Sequence, residues 1–146
     1  MAAQIYFEDV QVGDQLPVLE VDVSRVQAFF FSAATYNGHR IHYDVTWAKE
    51  AEGYPDILIQ GPLQVALLAR TITDWMGADG RLIEYSVQNR GSAYLGEGLR
   101  FGGTVSDSIP ADGAGLITLD VRGEKPDGTI LMPGTATVRL PLRDRR

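Results

Sequence analysis

The chain has 146 residues, 45% of them hydrophobic and 22% charged, which is typical of a folded globular chain, and we expect one domain over residues 1–146. Its 13 Lys and Arg against 19 Asp and Glu give a net charge of −6, which disfavours nucleic-acid binding through charge. The absence of cysteine excludes disulfides, thiolate metal sites and a cysteine nucleophile. No apolar run reaches the roughly 18 residues of a membrane helix, and the N-terminus does not resemble a signal peptide, so we expect a cytoplasmic protein.

The first part of the chain predicts one strand followed by one amphipathic helix. Residues 16–23 have the composition of a strand. Ser24 and Gln27 then have the spacing of a capping box, which begins a helix. The apolar residues of this helix recur at the spacing of one helical face, and we expect its phenylalanines to pack in the core. These residues are Val26, Phe29, Phe30 and Ala33.

A second, longer helix is predicted over residues 61–76. Gly61-Pro62 begins it, because a proline at the first helical position removes no intrahelical hydrogen bond. The run that follows is apolar on most sides, which predicts a buried helix. Gly77 and Gly80 are expected to end it.

The second half of the chain predicts strands separated by glycine-containing turns. The strands are expected over residues 82–89, 99–105, 116–121 and 135–140. Asp112-Gly113 and Asp127-Gly128 are typical of hairpin turns, and the short connections favour antiparallel pairing. Several antiparallel strands with one long helix predict an α+β fold, in which the sheet curls around the helix of residues 61–76.

Residues 35–44, between the two helices, are rich in polar side chains and include both histidines. His42 can be a buried structural residue or a general acid/base, because imidazole titrates near neutral pH. His39, His42 and Asp44 also lie close enough in sequence to be considered as metal ligands, but no further ligands accompany them and no metal site is predicted. Asp44 precedes a short helix expected over residues 45–52, and its expected role is that of the N-cap.

Gly61 has a structural role at the start of the helix and a possible chemical one. The first N–H groups of a helix have no intrahelical acceptor and lie at the positive end of the helix dipole. Glycine lets a ligand oxygen approach closely, and Pro62 has no N–H. Gly61 is therefore the natural donor for an oxyanion hole at this end of the helix.

Several segments resemble the MaoC-like family of hot-dog-fold proteins. The hydratases of this family carry the pattern D-x-N-P-[IL]-H followed by x-D, and the matching stretch is Asn37-Gly38-His39-Arg40-Ile41-His42-Tyr43-Asp44. Ile59-Gln60-Gly61-Pro62-Leu63 resembles the turn that leads into the family's central helix. Further matching segments are Phe7-Glu8-Asp9-Val10, Val12-Gly13-Asp14, Gly134-Thr135-Ala136 and Leu140-Pro141.

The chain departs from this pattern at two positions, with Asn37 at the family's aspartate and His39 at its asparagine. The resulting N-x-H-x-x-H-x-D form resembles the sub-branch of 3-methylfumaryl-CoA (mesaconyl-type) hydratases and mitochondrial 3-hydroxyacyl-thioester dehydratases type 2. The resemblance implies a single hot-dog domain and a hydratase or dehydratase of 2-enoyl thioesters carried by CoA or an acyl carrier. It also implies a homodimer or higher oligomer with the site near the subunit interface, or a heteromer with a related subunit.

Within such an enzyme we expect three catalytic residues. His42 would move the protons, Asn37 would orient the water because an amide does not ionise near neutral pH, and Gly61 would donate to the oxyanion. His39 could share the proton transfers or simply hold the loop. No cofactor is expected. The residues expected to contact substrate are Tyr36, His39, Gln60 and Pro62.

Two other functions stay open. A hot-dog thioesterase would use the same oxyanion donor, with Gln64 positioning the water, although the first turn of the helix has no acidic residue. A non-catalytic subunit that pairs with an active partner is also consistent with the missing aspartate. Candidates for contacts to the CoA phosphates are Arg70, Arg81, Arg90 and Arg100, and candidates for the acyl pocket are Phe31, Tyr36 and Trp47.

Overall fold

The computed structural model describes residues 4–143. This part of the chain forms the helices α1 (Arg25–Ala34), α2 (Val45–Glu50) and α3 (Gly61–Met76). Its strands are β1 (Leu19–Val21), β2 (Arg81–Val87), β3 (Leu99–Ala111), β4 (Ala114–Glu124) and β5 (Ile130–Pro141). Short 3-10 turns lie at Phe7–Asp9 and Arg40–His42.

The five strands form one antiparallel sheet in the order β1-β3-β4-β5-β2. Asp112-Gly113 makes the predicted tight turn between β3 and β4, where Gly113 has a φ of 62° that glycine adopts without strain. Asp127-Gly128 lies in the loop between β4 and β5, also as predicted. The three central strands run beyond their predicted ends, because they pair with one another past the edge of the buried core.

The prediction of a strand over residues 16–23 is wrong in extent, since β1 spans only Leu19–Val21. The preceding segment does contact β3. Gln15 forms an isolated bridge with Thr104, and the Leu16 N–H donates to the Gly103 carbonyl at 2.9 Å. Pro17 then interrupts the ladder, because proline has no N–H to donate to a neighbouring strand.

Helix α3 contacts β2, β3, β4 and β5, so the sheet curls around it in the hot-dog arrangement. Its inner face buries five apolar side chains against the strands: Leu63, Leu67, Leu68, Ile72 and Met76. The prediction of a helix buried on all sides is wrong for the described chain, because Ala66 and Arg70 lie on an exposed outer face. Arg70 forms an ion pair there with Asp74 at 3.2 Å.

Helix α1 begins as predicted, with the Ser24 hydroxyl accepting a hydrogen bond from the Gln27 N–H at 3.1 Å. The prediction that its phenylalanines pack in the core is wrong, because Phe29 is 51% exposed and Phe30 is 64% exposed. The buried side chains of α1 are instead the small ones of Ala28 and Ser32. Small residues let this helix lie close against Gln60, at the start of α3, and that contact turns the phenylalanines outward.

Candidate active site

The His42 ring is held by the backbone just before α3. The 3-10 turn Arg40–His42 is joined to Leu58, whose N–H donates to the Ile41 carbonyl at 3.0 Å. The Leu58 carbonyl in turn lies 2.7 Å from His42 Nδ1. Since a carbonyl oxygen only accepts, Nδ1 carries the proton and Nε2 of the neutral ring keeps its lone pair. The geometry therefore selects the tautomer that a general base needs at Nε2.

Burial favours the neutral form of the His42 ring. The residue is only 9% exposed. This burial lowers the pKa of His42 below its ordinary value of 6.5, the hydrogen bond to the Leu58 carbonyl opposes the shift, and the charge of His39 adds to it. The ring is therefore uncharged at neutral pH and can accept a proton.

His39 has a different environment although it lies only three residues earlier. It is exposed and caps the 3-10 turn, where its Nδ1 accepts a long hydrogen bond of 3.4 Å from the Ile41 N–H. The two imidazole rings are close, with centroids 6.1 Å apart. The structure thus brings the histidines together and gives only His42 a buried ring with a backbone partner.

Asn37 is placed at the end of α1 by its own backbone and side chain. Its N–H donates to the Ser32 carbonyl at 2.8 Å, and its Oδ1 accepts from the His39 N–H at 3.2 Å. The amide oxygen is therefore used within the loop, which leaves the Nδ2 hydrogens to donate elsewhere. Tyr36, just before it, is 98% exposed and has a φ of 56°, in the left-handed region that few residues other than glycine adopt.

Gly61 is the first residue of α3, and its N–H therefore lacks an intrahelical acceptor. No hydrogen bond joins this N–H to another of residues 4–143. Leu58 lies three residues earlier, so Gly61 is within about 10 Å of the carbonyl that holds His42. A Cβ at Gly61 would lie 2.6 Å from Asn89 Nδ2, the end of an exposed side chain that can rotate away. The sequence contains no signal for this contact with Asn89.

Gln60 and Gln64 are buried in the start of α3. Gln60 is fully buried, and its Nε2 donates to the Ala28 carbonyl at 2.7 Å and to the Ser32 hydroxyl at 2.8 Å, which joins α1 to the start of α3. Gln64 Nε2 donates to the Ile59 carbonyl at 3.4 Å. The Oε1 atom of each residue is buried and lacks a donor among the residues that the structure describes. Pro62, the remaining predicted substrate contact in this segment, is exposed.

A cleft of about 490 Å³ lies between α1 and the loop that follows it. Its walls include two predicted site residues, Tyr36 and Asn37, but neither His42 nor Gly61. The predicted acyl-pocket residues Phe31 and Trp47 are also absent from its lining. Phe31 packs against the core, and Trp47 stacks under Arg40 at 4.2 Å. The lining residues are Phe29, Ser32, Ala33, Tyr36, Asn37, Gly38 and Tyr43.

Asp44 has the structural role predicted for it. Its Oδ1 accepts from the Trp47 N–H at 3.0 Å, and its Oδ2 pairs with Arg40 at 2.7 Å. The hydrogen bond from the Trp47 N–H, followed by the one from Arg40, lowers the pKa of Asp44 below its usual 3.8. Within residues 4–143 no three His, Asp or Glu side chains are grouped as metal ligands would be.

The arginines considered for CoA phosphates differ in how far they are already paired. Arg70 pairs with Asp74, and Arg90 donates from Nε to the Gln88 side chain at 2.9 Å. Arg100 lies 3.4 Å from Glu20 and 3.8 Å from Glu124. Arg81 is exposed at the start of β2, an edge strand of the sheet. Across the described residues, none of the helices has the length and apolar character needed to cross a membrane.

Comparisons with known proteins agree with this architecture. A mesaconyl-C(4)-CoA hydratase of Chloroflexus aurantiacus is 55% identical over 40 residues, which are 27% of this chain and 14% of that protein. The matched segments span only 13–20% of the lengths of three curated relatives. The R-hydratase PhaJ1 of Pseudomonas aeruginosa has the same fold, with a TM-score of 0.84 at 18% identity over 96% of this chain and 88% of that one.

A second solved structure is similar over nearly its whole length. It is a chain of the ChsH1-ChsH2 complex of Mycobacterium tuberculosis, with a TM-score of 0.75 and 25% identity over 89% of this chain and 98% of that one. The family model of hydroxyacyl-thioester dehydratase type 2 matches residues 9–93, more than half of the 146 residues. This match covers α1, the segment of residues 35–44 that contains both histidines, α3 and β2. The chain therefore belongs to the hydroxyacyl-thioester dehydratase type 2 family.

Proposed function

We propose that this chain is a hydro-lyase that adds water to the double bond of a 2-enoyl thioester, or removes it from the 3-hydroxyacyl product. The observation that supports this most is the buried His42 ring, whose Nδ1 is held by the Leu58 carbonyl at 2.7 Å. Family membership supports the reaction class, and the contacts of His42, Asn37 and Gly61 support the roles proposed for them. The substrate is proposed to be an acyl-CoA.

In the hydration direction, His42 Nε2 takes a proton from water as the water oxygen bonds to the β-carbon. The electron pair of the double bond moves toward the thioester carbonyl, and negative charge gathers on its oxygen. The free N–H of Gly61 and the positive end of α3 stabilise that charge. The protonated His42 then gives its proton to the α-carbon, so one molecule of water is added and the ring returns to its starting state.

Asn37 is proposed to orient the water rather than to deprotonate it. Its Oδ1 is occupied by the His39 N–H, so Nδ2 remains to donate a hydrogen bond to the water oxygen. This division of roles requires a single base, and the low pKa of His42 keeps that base neutral at neutral pH. His39 is proposed to hold the loop through its own N–H and Nδ1 contacts.

We also propose that the working unit contains more than one hot-dog subunit. One structure similar over 98% of its chain is described as a complex of two proteins. β2 forms an edge of the sheet, where its outer backbone groups have no partner strand among the described residues. Such an edge can pair with a second subunit, either another copy or a related chain.

The test follows two signals on a panel of short linear, branched and dicarboxylic 2-enoyl-CoA thioesters. Loss of the conjugated enoyl absorbance without release of free thiol, absent from the His42→Ala variant, is expected. Thiol release would contradict the proposal and assign a thioesterase. Silence in both signals from folded protein would also contradict it and would favour a subunit that needs an active partner.

A further inference from the structure

The chain contains two asparagines, and the peptide group that follows each of them has a different environment. Asn37 is followed by Gly38, which is exposed and whose N–H has no acceptor among the residues that the structure describes. Asn89 is followed by Arg90, whose N–H donates to the Leu131 carbonyl at 2.8 Å. The peptide nitrogen after Asn37 is therefore free to react, whereas the one after Asn89 is held in a hydrogen bond.

The Asn37 side chain lies against the peptide groups that follow it. Its Oδ1 accepts from the His39 N–H at 3.2 Å, and the Asn37 N–H is fixed by the Ser32 carbonyl at 2.8 Å. An N–H that points at a carbonyl oxygen stabilises the negative charge that gathers there when a nucleophile attacks the carbonyl carbon. Gly38 has no Cβ to hinder the approach of its nitrogen. These contacts therefore favour attack of the Gly38 nitrogen on Asn37 Cγ.

We propose that Asn37–Gly38 is a site of spontaneous deamidation, which replaces the amide at the candidate active site by aspartate or isoaspartate. The Gly38 nitrogen bonds to Asn37 Cγ and gives up its proton, the Cγ–Nδ2 bond breaks, and Nδ2 takes up a proton and leaves as ammonia. Water then opens the resulting succinimide ring at either carbonyl, so one water is consumed and one ammonia released. Opening at one carbonyl gives aspartate, and opening at the other gives isoaspartate, whose backbone contains an extra CH₂. Asparagine is among the thermolabile residues of proteins.

Either product changes the candidate active site, and this consequence rests on the proposed function. There Asn37 Nδ2 donates a hydrogen bond to the attacking water, whereas an ionised carboxylate only accepts. Asn37→Asp, which reproduces the first product, is therefore expected to lower kcat/KM by up to about tenfold, since no proton-transfer group is lost. Isoaspartate lengthens the backbone between positions 37 and 38, which moves His39 away from its 3.2 Å contact. The isoaspartate form is expected to lose turnover.

The first experiment follows the masses of two tryptic peptides while the purified protein is incubated at mildly alkaline pH. The peptide of residues 26–40 contains Asn37, and that of residues 82–90 contains Asn89. We expect the first peptide to gain the mass difference between NH₂ and OH, located at Asn37 by fragmentation, while the second keeps its mass. A first peptide that keeps its mass, or gains it no faster than the second, would overturn the proposal.

The matched variant Gly38→Ala tests the ring-closing step. A Cβ added at Gly38 would meet no atom within 4 Å, and the Gly38 backbone does not have a left-handed φ, so alanine fits the folded chain. The added methyl group hinders closure of the succinimide ring. Peptide 26–40 of this variant is therefore expected to keep its mass over the period in which half of the wild type changes, with the fold checked by circular dichroism. Equal rates in folded Gly38→Ala and wild type would overturn the proposal.

Activity measurements separate this inference from the proposed function. Hydration of a 2-enoyl-CoA by aged wild-type protein is expected to fall in proportion to its isoaspartate content, measured by enzymatic methylation of the isoaspartyl carboxylate. Aged Gly38→Ala is expected to keep the activity of its own fresh sample. A mass gain at Asn37 with no turnover in fresh protein would refute the hydro-lyase and keep the deamidation site. Turnover with unchanged mass, or full activity in protein that is largely isoaspartate, would overturn this inference.

Discussion

Helices α1 and α3 are both predicted from the spacing of their apolar residues, yet they use those residues in opposite ways. α3 buries Leu68 and Ile72 completely under the curled sheet. α1 buries Ala28 and Ser32 and leaves Phe29 half exposed, beside a cleft. The spacing therefore shows which residues share a face, and the neighbouring element decides which face is buried. The difference makes α3 the helix of the buried core, whereas α1 leaves an apolar face exposed beside the cleft.

The largest expected effect contrasts one large apolar residue from each helix. Leu68→Ala is expected to lower the free energy of unfolding by about 2–5 kcal/mol, because it leaves a cavity under the sheet. Phe30→Ala removes a side chain that is 64% exposed and is expected to cost no more than about 0.5 kcal/mol. Urea denaturation of both variants measures the contrast, and comparable losses would show that the outer face of α1 is buried in the working protein.

The second prediction concerns the start of α3. Gly61→Ala places a Cβ 2.6 Å from Asn89 Nδ2, so the exposed Asn89 side chain has to rotate at the start of α3, with an expected loss of up to about tenfold in kcat/KM. Removing the obstacle in Gly61→Ala/Asn89→Ala should recover much of that loss, because alanine retains the backbone N–H. Steady-state kinetics of the two variants and of Asn89→Ala alone provide the comparison. No recovery in the double variant would mean that Asn89 is not the obstacle.

A smaller effect is expected from the hydrogen bond between Gln60 and Ser32, which joins the start of α3 to α1. Ser32→Ala removes the hydroxyl that accepts from Gln60 at 2.8 Å and is expected to cost about 1 kcal/mol of stability. Thr35→Ala, at the residue that caps the end of α1, is the matched control, since its exposed hydroxyl donates to the Phe31 carbonyl one turn earlier. Thermal unfolding measures the stability of both variants. An equal loss of stability in Thr35→Ala and Ser32→Ala would argue against a special role for the hydrogen bond between Ser32 and Gln60.

The smallest expected effect on stability is that of pH. Because burial lowers the pKa of His42 below 6.5, the unfolded chain binds more protons than the folded one as the pH falls. The contribution of neutral His42 is therefore complete above pH 6.5 and declines as the pH drops toward the lower folded pKa. Unfolding free energies of wild type and His42→Ala across this range should differ in slope. The same group predicts an acid limb of kcat/KM with an apparent pKa below 6.5.

The sequence predicts the elements of this fold better than their contacts. Gly61-Pro62 and Asp112-Gly113 act through their own backbone preferences and Ser24 through its hydroxyl, so the starts of α3 and α1 and the β3–β4 turn are predictable. The Leu58 carbonyl that orients His42 is not, because any residue presents the same backbone acceptor. The position of Asn89 beside Gly61 is likewise set by a contact between distant segments.

His42 and His39 lie in the same loop but are proposed to have different roles, His42 in proton transfer and His39 in holding the loop. The direct measurement compares kcat/KM of His42→Ala and His39→Ala on the best 2-enoyl-CoA substrate, with the fold of each checked by circular dichroism. Loss of the acid/base should lower the His42→Ala value by about 10²–10⁴-fold, while His39→Ala stays within about tenfold of wild type. A His42→Ala variant with full activity, or a larger loss in His39→Ala, would contradict the assignment of His42 as the residue that moves the protons.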